Sequence, residues 1–230
     1  MLKKAAIMLF AALLFVASQL PAQAATSDRW QYLRQTEGWE VYYDNQTATY
    51  NDQAKTMTFW LGFKSNGKFD FMRQIQVNLV NRTYHDLLRT EIGSTGFAQT
   101  KRVNNHYESN ITPGNFVEKA CDQLCDKFHV KRLSAANGAR WKWLTSTDKY
   151  TVNYATDRVE IDTMHKTVVI WVQKTYLDGH KNDAEKYICD LNNQTVEYYG
   201  SKGYFKEIVS PDSFLEIVWN KAQSLYNNQE

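Results

Sequence analysis

Proline and glycine are scarce in this sequence, which holds 3 Pro and 10 Gly among 230 residues. Chains that stay disordered are usually rich in proline and polar residues and poor in aromatic side chains. Here aromatic residues make up 14% of the chain, and such side chains are enriched in β-strands. The composition therefore argues against disorder and predicts a folded, β-rich protein.

Long apolar runs are also missing. The apolar run from Ala5 to Ala17 is shorter than the roughly 20 residues that a membrane-spanning helix needs. It follows the basic pair Lys3-Lys4 and leads through Pro21 to the small-residue sequence Ala22–Ala24, which is the pattern of a secretory signal peptide. We therefore predict a signal peptide over residues 1–25, export to the periplasm, cell surface or medium, and no membrane span after cleavage.

The mature chain lacks an excess of either charge. Removal of residues 1–25 takes away two lysines and no acid, so the 27 basic residues fall to 25 and equal the 25 acidic ones. Proteins that bind nucleic acid usually carry a marked basic excess. The balance predicts that nucleic acid is not a partner.

Recognisable catalytic motifs are absent from the sequence, since it contains neither a nucleophile elbow nor a glycine-rich phosphate loop. Cys121, Cys125 and His129 follow one another at a spacing of four. The first and third of them would lie about 12 Å apart along a helix, which is too far to share one zinc ion. We expect no catalytic residue, no metal ligand and no cofactor. The other histidines are scattered in turn-like surroundings: His85, His106, His165 and His180.

The main positive feature of the sequence is a pattern that occurs twice. Lys55-Thr56 and the apolar run around Trp60 recur 111 positions later as Lys166-Thr167 and the run around Trp171. Further matches follow in the same order at offset 112, and around two predicted helices at offset 98. A duplication preserves the order of elements while its loops change length. The pattern therefore predicts one module written twice.

The two predicted units span residues 28–133 and 139–228. Each is expected to be an antiparallel β-sheet closed by a C-terminal amphipathic α-helix, which gives an α+β fold. Thr112 and Ser210 are the predicted helix caps, each followed by a proline at the first helical position, whereas Thr83–Tyr107 shows little periodicity and is expected to be irregular. The predicted structural core residues are Trp60, Trp171, Phe116, Phe214, Pro113 and Pro211.

The order of elements in the second unit resembles a known family. The Trp171 strand is followed by Tyr187–Leu191, by Ile208–Ser213 and by a closing helix, with an apolar-x-Pro-x-Ser step into that helix. This resembles the bacterial surface-adhesin protein E-like domain, and Ile111–Asn115 carries a weaker form of the same step in the first unit. Two tandem copies would cover nearly the whole mature chain. The resemblance implies an exported envelope protein, adhesive toward matrix or serum proteins and without catalysis.

The three cysteines leave several pairings open in an oxidising compartment. Cys121 and Cys125 would have Cα atoms about 6 Å apart on a helix, although their nearly parallel side chains would strain a disulfide. Cys189 could pair with either and join the two units, or all three could remain buried thiols. The family resemblance implies a bridge from strand to helix within a domain, but the matching places here hold Trp219 and Val77.

Function is expected at the surface, because no motif points to chemistry. Aromatic residues with Lys or Arg nearby are favoured at interfaces, although they are equally at home in strands. The first hypothesis is an exported, non-enzymatic protein that binds a host matrix or envelope protein. The alternatives are a periplasmic small-ligand carrier or modulator, with a pocket between the units, and a hydrolase with a dispersed site. The candidate binding residues are Tyr198, Tyr199, Tyr204 and Phe205.

Overall fold

The computed structural model describes residues 29–93, 96, 98–104, 107–134, 140–200 and 203–228. The predicted signal peptide and most of the predicted boundary between the units lie outside the described residues. The described part holds fifteen strands, two α-helices and one 3-10 turn. The first group of strands is β1 (Trp30–Thr36), β2 (Trp39–Asp44), β3 (Thr49–Asn51), β4 (Thr56–Ser65), β5 (Lys68–Asn78), β6 (Thr83–Ile92), β7 (Ala98–Arg102) and β8 (Ser109–Asn110). The second group is β9 (Trp141–Ser146), β10 (Tyr150–Ala155), β11 (Glu160–Asp162), β12 (Thr167–Tyr176), β13 (Glu185–Asp190), β14 (Thr195–Gly200) and β15 (Gly203–Ile208). The helices are α1 (Phe116–Lys127) and α2 (Phe214–Asn227), and the 3-10 turn is Thr156–Arg158.

The strands form two antiparallel sheets, so the described fold is mostly β. The first sheet has the order β1-β2-β4-β5-β6-β7, with β3 paired to β4 and β8 paired to β6. The second has the order β15-β14-β13-β12-β10-β9, with β11 paired to β12. Both sheets are open, and each is followed in sequence by one helix. The arrangement resembles two tandem units.

Each helix covers one face of the sheet that precedes it, because its apolar residues recur at helical spacing. In the first unit Val117 and Leu124 of α1 are buried with Met57, Phe59 and Leu61 of β4. Burying a side chain of this size contributes about 1.5–3 kcal/mol. Within the described residues, neither helix is both long and apolar enough to cross a membrane.

The core of the second unit repeats this arrangement. Val218 and Ala222 of α2 are buried together with Val168, Ile170 and Val172 of β12. The alternate residues of β4 and β12 therefore face the helix, as the period of a half-buried strand requires. Phe116 and Phe214, the first residues of the two helices, are partly buried and pack against the two cores.

The repeated tryptophans, both predicted to be core residues, lie outside these two clusters and differ in burial: Trp171 is buried, whereas Trp60 is not. Trp60 stands between Phe59 and Leu61 on β4, so its side chain points to the opposite face and is only partly buried. Trp171 also points away from the helix face, but it is buried in a small separate cluster with Ala155 and Ala184. The alternation of side chains along a strand explains both positions.

The helices start later than the sequence suggested. Asn115 and Ser213 are the N-caps, and their side-chain oxygens accept hydrogen bonds from the backbone N–H groups of Glu118 and Glu216. The predicted caps Thr112 and Ser210, with the prolines after them, belong to the turns that precede the helices. Pro113 is buried and Pro211 is exposed. Only one of the two prolines therefore contributes to the core.

Unusual backbone conformations recur at the positions that the sequence pattern matched. Lys55 has a φ of 51° and Lys166 a φ of 50°. Arg82 and Gln194 have φ values of 54° and 52°. Left-handed backbone is uncommon for residues other than glycine, so its recurrence at matched turns supports the reading of two similar units.

The stretch Thr83–Tyr107 is more regular than predicted. It contains the whole of β6 and β7, which pair from Leu88 with Arg102 to Ile92 with Ala98. The β7 residues are all exposed. An edge strand without a buried face lacks the apolar alternation by which strands are recognised.

Candidate binding surfaces

The two units are joined by a buried cluster of charged side chains. Arg140 places its Nη2 atom 3.0 Å from Glu118 Oε1 on α1 and 2.7 Å from Asp157 Oδ2. Arg158 donates hydrogen bonds from Nη1 to Glu118 Oε1 at 3.1 Å and from Nη2 to the carbonyl oxygen of Ile111 at 2.8 Å. The cluster therefore ties the beginning of α1 to the beginning of the second unit.

The charges in this cluster depend on one another. Burial alone would lower the pKa of Arg140, but hydrogen bonds to Glu118 and Asp157 outweigh burial and raise it. Burial lowers the pKa of Arg158, whose buried Nε finds no hydrogen-bond partner among the described residues. Its guanidinium lies 5.4 Å from the ring centroid of Trp171, a cation–π contact that offsets part of the desolvation. The arrangement is suited to holding the units together.

The first sheet carries an aromatic platform on the face opposite α1, formed by Trp30, Tyr32, Tyr42 and Phe69. Ring centroids lie 4.7 Å apart for Trp30 and Phe69, and 6.0 Å apart for Tyr42 and Phe69. Tyr32 extends the platform at 5.5 Å from Tyr42 and is 51% exposed. Contiguous rings of this kind give a partner a large, rigid contact area.

A glycine and two cations shape the platform. A Cβ atom on Gly62 would lie 2.5 Å from the ring of Phe69 and 2.8 Å from that of Trp30, so the rings rest directly on the backbone. Lys64 Nζ lies 5.5 Å from the ring centroid of Tyr42, and Arg29 lies 5.8 Å from that of Trp30. Aromatic residues together with arginine are characteristic of the energetic centres of interfaces.

Sequence analysis did not identify this platform. Its residues come from β1, β2 and β5, which meet only through the pairing of the strands. The available signal was alternation in β2, where Tyr42 stands between the buried residues Val41 and Tyr43. That signal places one ring on the outer face but does not show which rings from other strands join it.

The four predicted binding residues lie on the hairpin β14–β15 but face opposite sides of the sheet. Tyr198 stacks on Phe205 at 5.3 Å and on the buried Tyr187 at 5.4 Å, which extends the core beneath α2. Tyr199 and Tyr204 pair on the other face at 5.4 Å and are 64% and 52% exposed. Only this second pair is presented to a partner.

The three cysteines are free, buried thiols. Cys121 and Cys125 belong to the first core and Cys189 to the second, so none of the bridges considered from the sequence is formed. Burial raises the pKa of Cys189 to about 12. Burial, together with Asp122 and Asp126, raises that of Cys125 to about 11, and burial also raises the pKa of Cys121. Because the thiolate is the reactive form, these thiols are poor nucleophiles at neutral pH.

The histidines stay dispersed over the described surface. His165 contacts Asp162 at 2.6 Å, and His180 contacts Asp178 at 2.7 Å, both in exposed turns. His129 follows Phe128, the C-cap of α1, with a φ of 57°, while His106 lies outside the described residues. Among the described residues, no group of three or more His, Cys, Asp or Glu side chains is placed to hold a metal ion.

A cleft of about 500 Å³ lies on the first unit, where the segment after α1 passes beside two turns of the sheet. Its wall includes Arg82, which donates a hydrogen bond across the junction to the carbonyl oxygen of Asp157 at 3.2 Å. The cleft therefore lies close to the second unit but is lined by residues of the first and of its tail.

Comparison of the chain with protein-family models, with curated proteins and with solved structures found no match.

Proposed function

We propose that this protein is an exported, non-enzymatic component of the bacterial cell envelope that binds another macromolecule through the aromatic platform. The single observation that carries the proposal is the row of Trp30, Tyr32, Tyr42 and Phe69 on an open sheet face. The signal-like residues 1–25 and the resemblance to the surface-adhesin protein E-like domain support the location and the adhesive role. Export predicts that mass analysis of the mature protein finds residues 1–25 removed.

The shape of the platform favours a macromolecular partner. Its rings come from three strands and extend over four neighbouring strands on the outer face of a sheet, whereas small ligands are usually held in concave sites. The exposed pair Tyr199 and Tyr204 offers a second aromatic contact on the other sheet. A matrix or envelope protein that contacts both areas would bind with a higher overall affinity, because the two areas belong to one chain.

Substitution of Tyr32 tests the proposal directly. The purified mature protein is titrated over immobilised matrix proteins, serum proteins and cell-wall polymers, and saturable binding to a defined member of this panel is expected. Tyr32→Ala should weaken that binding about tenfold, as expected for an interface residue worth more than 1 kcal/mol. Because Tyr32 is half exposed, the variant should unfold at nearly the same urea concentration as the wild type.

Leu177→Ala is the matched control, since Leu177 is 81% exposed and lies outside the platform. It should bind as the wild type does. Equal affinities of the Tyr32 and Leu177 variants, or a lack of saturable binding across the whole panel by folded protein, would count against the proposal.

A further inference from the structure

The cleft on the first unit combines an apolar wall with a positive rim. Its apolar lining includes Tyr50, Leu79, Val80 and Val130. Val80 is 70% exposed, although it sits in a turn where polar residues are usual. A cavity of about 500 Å³ is within the range that binds small molecules.

The charges around the cleft are unbalanced. Among the described residues, Asp52 is the one acidic residue of its lining, and it is already engaged by Lys55 at 2.6 Å and by the Tyr50 hydroxyl at 3.0 Å. Arg82 donates to a neutral carbonyl group. A concave surface with one dominant sign of charge concentrates ligands of the opposite sign. The cationic residues that line it are Lys55, Arg82, Lys131 and Arg132. Lys55 is paired with Asp52 and Arg132 with Asp126, so Arg82 and Lys131 are the lining cations that form no ion pair among the described residues.

The second unit shows that the turn itself does not require these residues. The same backbone hydrogen bond closes both turns, from Leu79 N to Lys55 O and from Leu191 N to Lys166 O, each at 3.0 Å. Arg82 corresponds to Gln194, and the two have nearly the same φ.

In the place of the exposed Val80 the second unit has Asn192, whose polar side chain suits a turn. The turn therefore does not require the exposed valine, whereas Arg82 also contributes a hydrogen bond across the junction.

We propose that this cleft binds a small amphiphilic anion, which has a carboxylate or phosphate head and an apolar body. The head would lie between Arg82 and Lys131, where charge-assisted hydrogen bonds are available, and the body would cover Val80 and Leu79. This site is separate from the aromatic platform, and the inference does not depend on the proposed macromolecular partner.

Decanoate is the probe, titrated calorimetrically into the mature protein below its micelle concentration. One saturable site is expected, while decyltrimethylammonium, which has the same tail and the opposite charge, should not bind. Lys131→Glu and Val80→Asp change exposed side chains and should each weaken decanoate binding about tenfold. Lys131→Glu removes a charge-assisted contact to the head, and Val80→Asp places a carboxylate against the apolar body. Lys101→Glu on β7 makes the same charge change outside the cleft and should have no effect.

Two further arms separate the outcomes. Vesicles that contain an anionic phospholipid test the same head chemistry on a membrane, and vesicle binding without decanoate binding would overturn the proposal of a small-molecule site. Equal binding of the cationic probe, or equal effects of Lys131→Glu and Lys101→Glu, would overturn it as well. Tyr32→Ala should bind decanoate normally, so failure of the macromolecular proposal and failure of this one remain distinguishable.

Discussion

Cys189 lies in the second core, where burial raises the pKa of its thiol to about 12. The same physical cause acts on Cys121 and Cys125 in the first core. Burial of this kind makes a cysteine behave as a small apolar residue. The sequence alone left bridged and free thiols open, because the distance from Cys189 to the helix cysteines depends on how the two units pack.

The buried thiol of Cys189 predicts a loss of stability at alkaline pH. In the unfolded chain this thiol ionises near its ordinary value of 9.0, whereas the folded protein keeps the proton until about pH 12. Above pH 9 the unfolded state binds fewer protons, so stability falls as the pH rises. At pH 10 this contribution should reach about 1.4 kcal/mol.

Urea unfolding at pH 8 and pH 10 measures this effect. Cys189→Ala should be less stable than the wild type at pH 8, because it leaves a small cavity. Between pH 8 and pH 10 it should lose less stability than the wild type, by about 1.4 kcal/mol. Identical losses in the two proteins would show that the thiol is not protected by burial.

At the scale of single elements, each helix has two candidate N-cap residues in the sequence that precedes it. Thr112 and Ser210 each precede a proline, a pattern that is typical of a helix cap and first turn. The structure instead uses Asn115 and Ser213, three residues later, and gives the proline segments to turns. Both candidates in each unit are good capping residues, so sequence preference could not choose between them.

Asn115→Ala and Ser213→Ala should each destabilise the protein by about 1 kcal/mol. Each substitution removes the side-chain oxygen that accepts the N–H group of the third helical residue. Thr112→Ala and Ser210→Ala are the matched controls and should change stability by no more than about 0.5 kcal/mol. Thermal and urea unfolding of the four variants would decide which residues cap the helices, and larger losses at Thr112 and Ser210 would contradict this assignment.

The presence of the two sheets was easier to predict than which side chains of each strand point toward the core. The matched turns and the apolar runs around Trp60 and Trp171 indicated two sheet-and-helix units, and two such sheets are present. The run Val168–Val172 is apolar at every position, so it contains no alternation from which the outward position of Trp171 could be derived. Trp171 points away from the helix face, where Arg158 of the 3-10 turn covers its ring, and the apolar run by itself does not show that contact.

At the scale of the whole molecule, surfaces and the junction depend on strands that are distant in sequence. The platform needs the register of β2 with β4, in which Tyr42 faces Gly62. The junction needs Glu118 of the first unit beside Arg140 of the second. Local sequence patterns predict neither the platform nor the junction, because both depend on which elements become neighbours after folding.

Glu118→Gln should destabilise the protein by about 3–5 kcal/mol, because it leaves the buried Arg140 and Arg158 without their shared carboxylate. Glu216→Gln is the matched control, since Glu216 holds the same place on α2 and binds the backbone N–H of Asp212 at 2.7 Å. It is partly exposed and should cost less than about 1 kcal/mol.

Scanning calorimetry of both variants measures the difference. The wild type and Glu216→Gln should unfold in one transition if the junction couples the two units. Glu118→Gln should unfold earlier, and its two units should separate into two transitions, because the contacts that join them share this carboxylate. Added salt should restore little of the stability that Glu118→Gln loses, because buried charges are weakly screened by ions in solution. Equal losses in the two variants would mean that the charged cluster does not hold the units together.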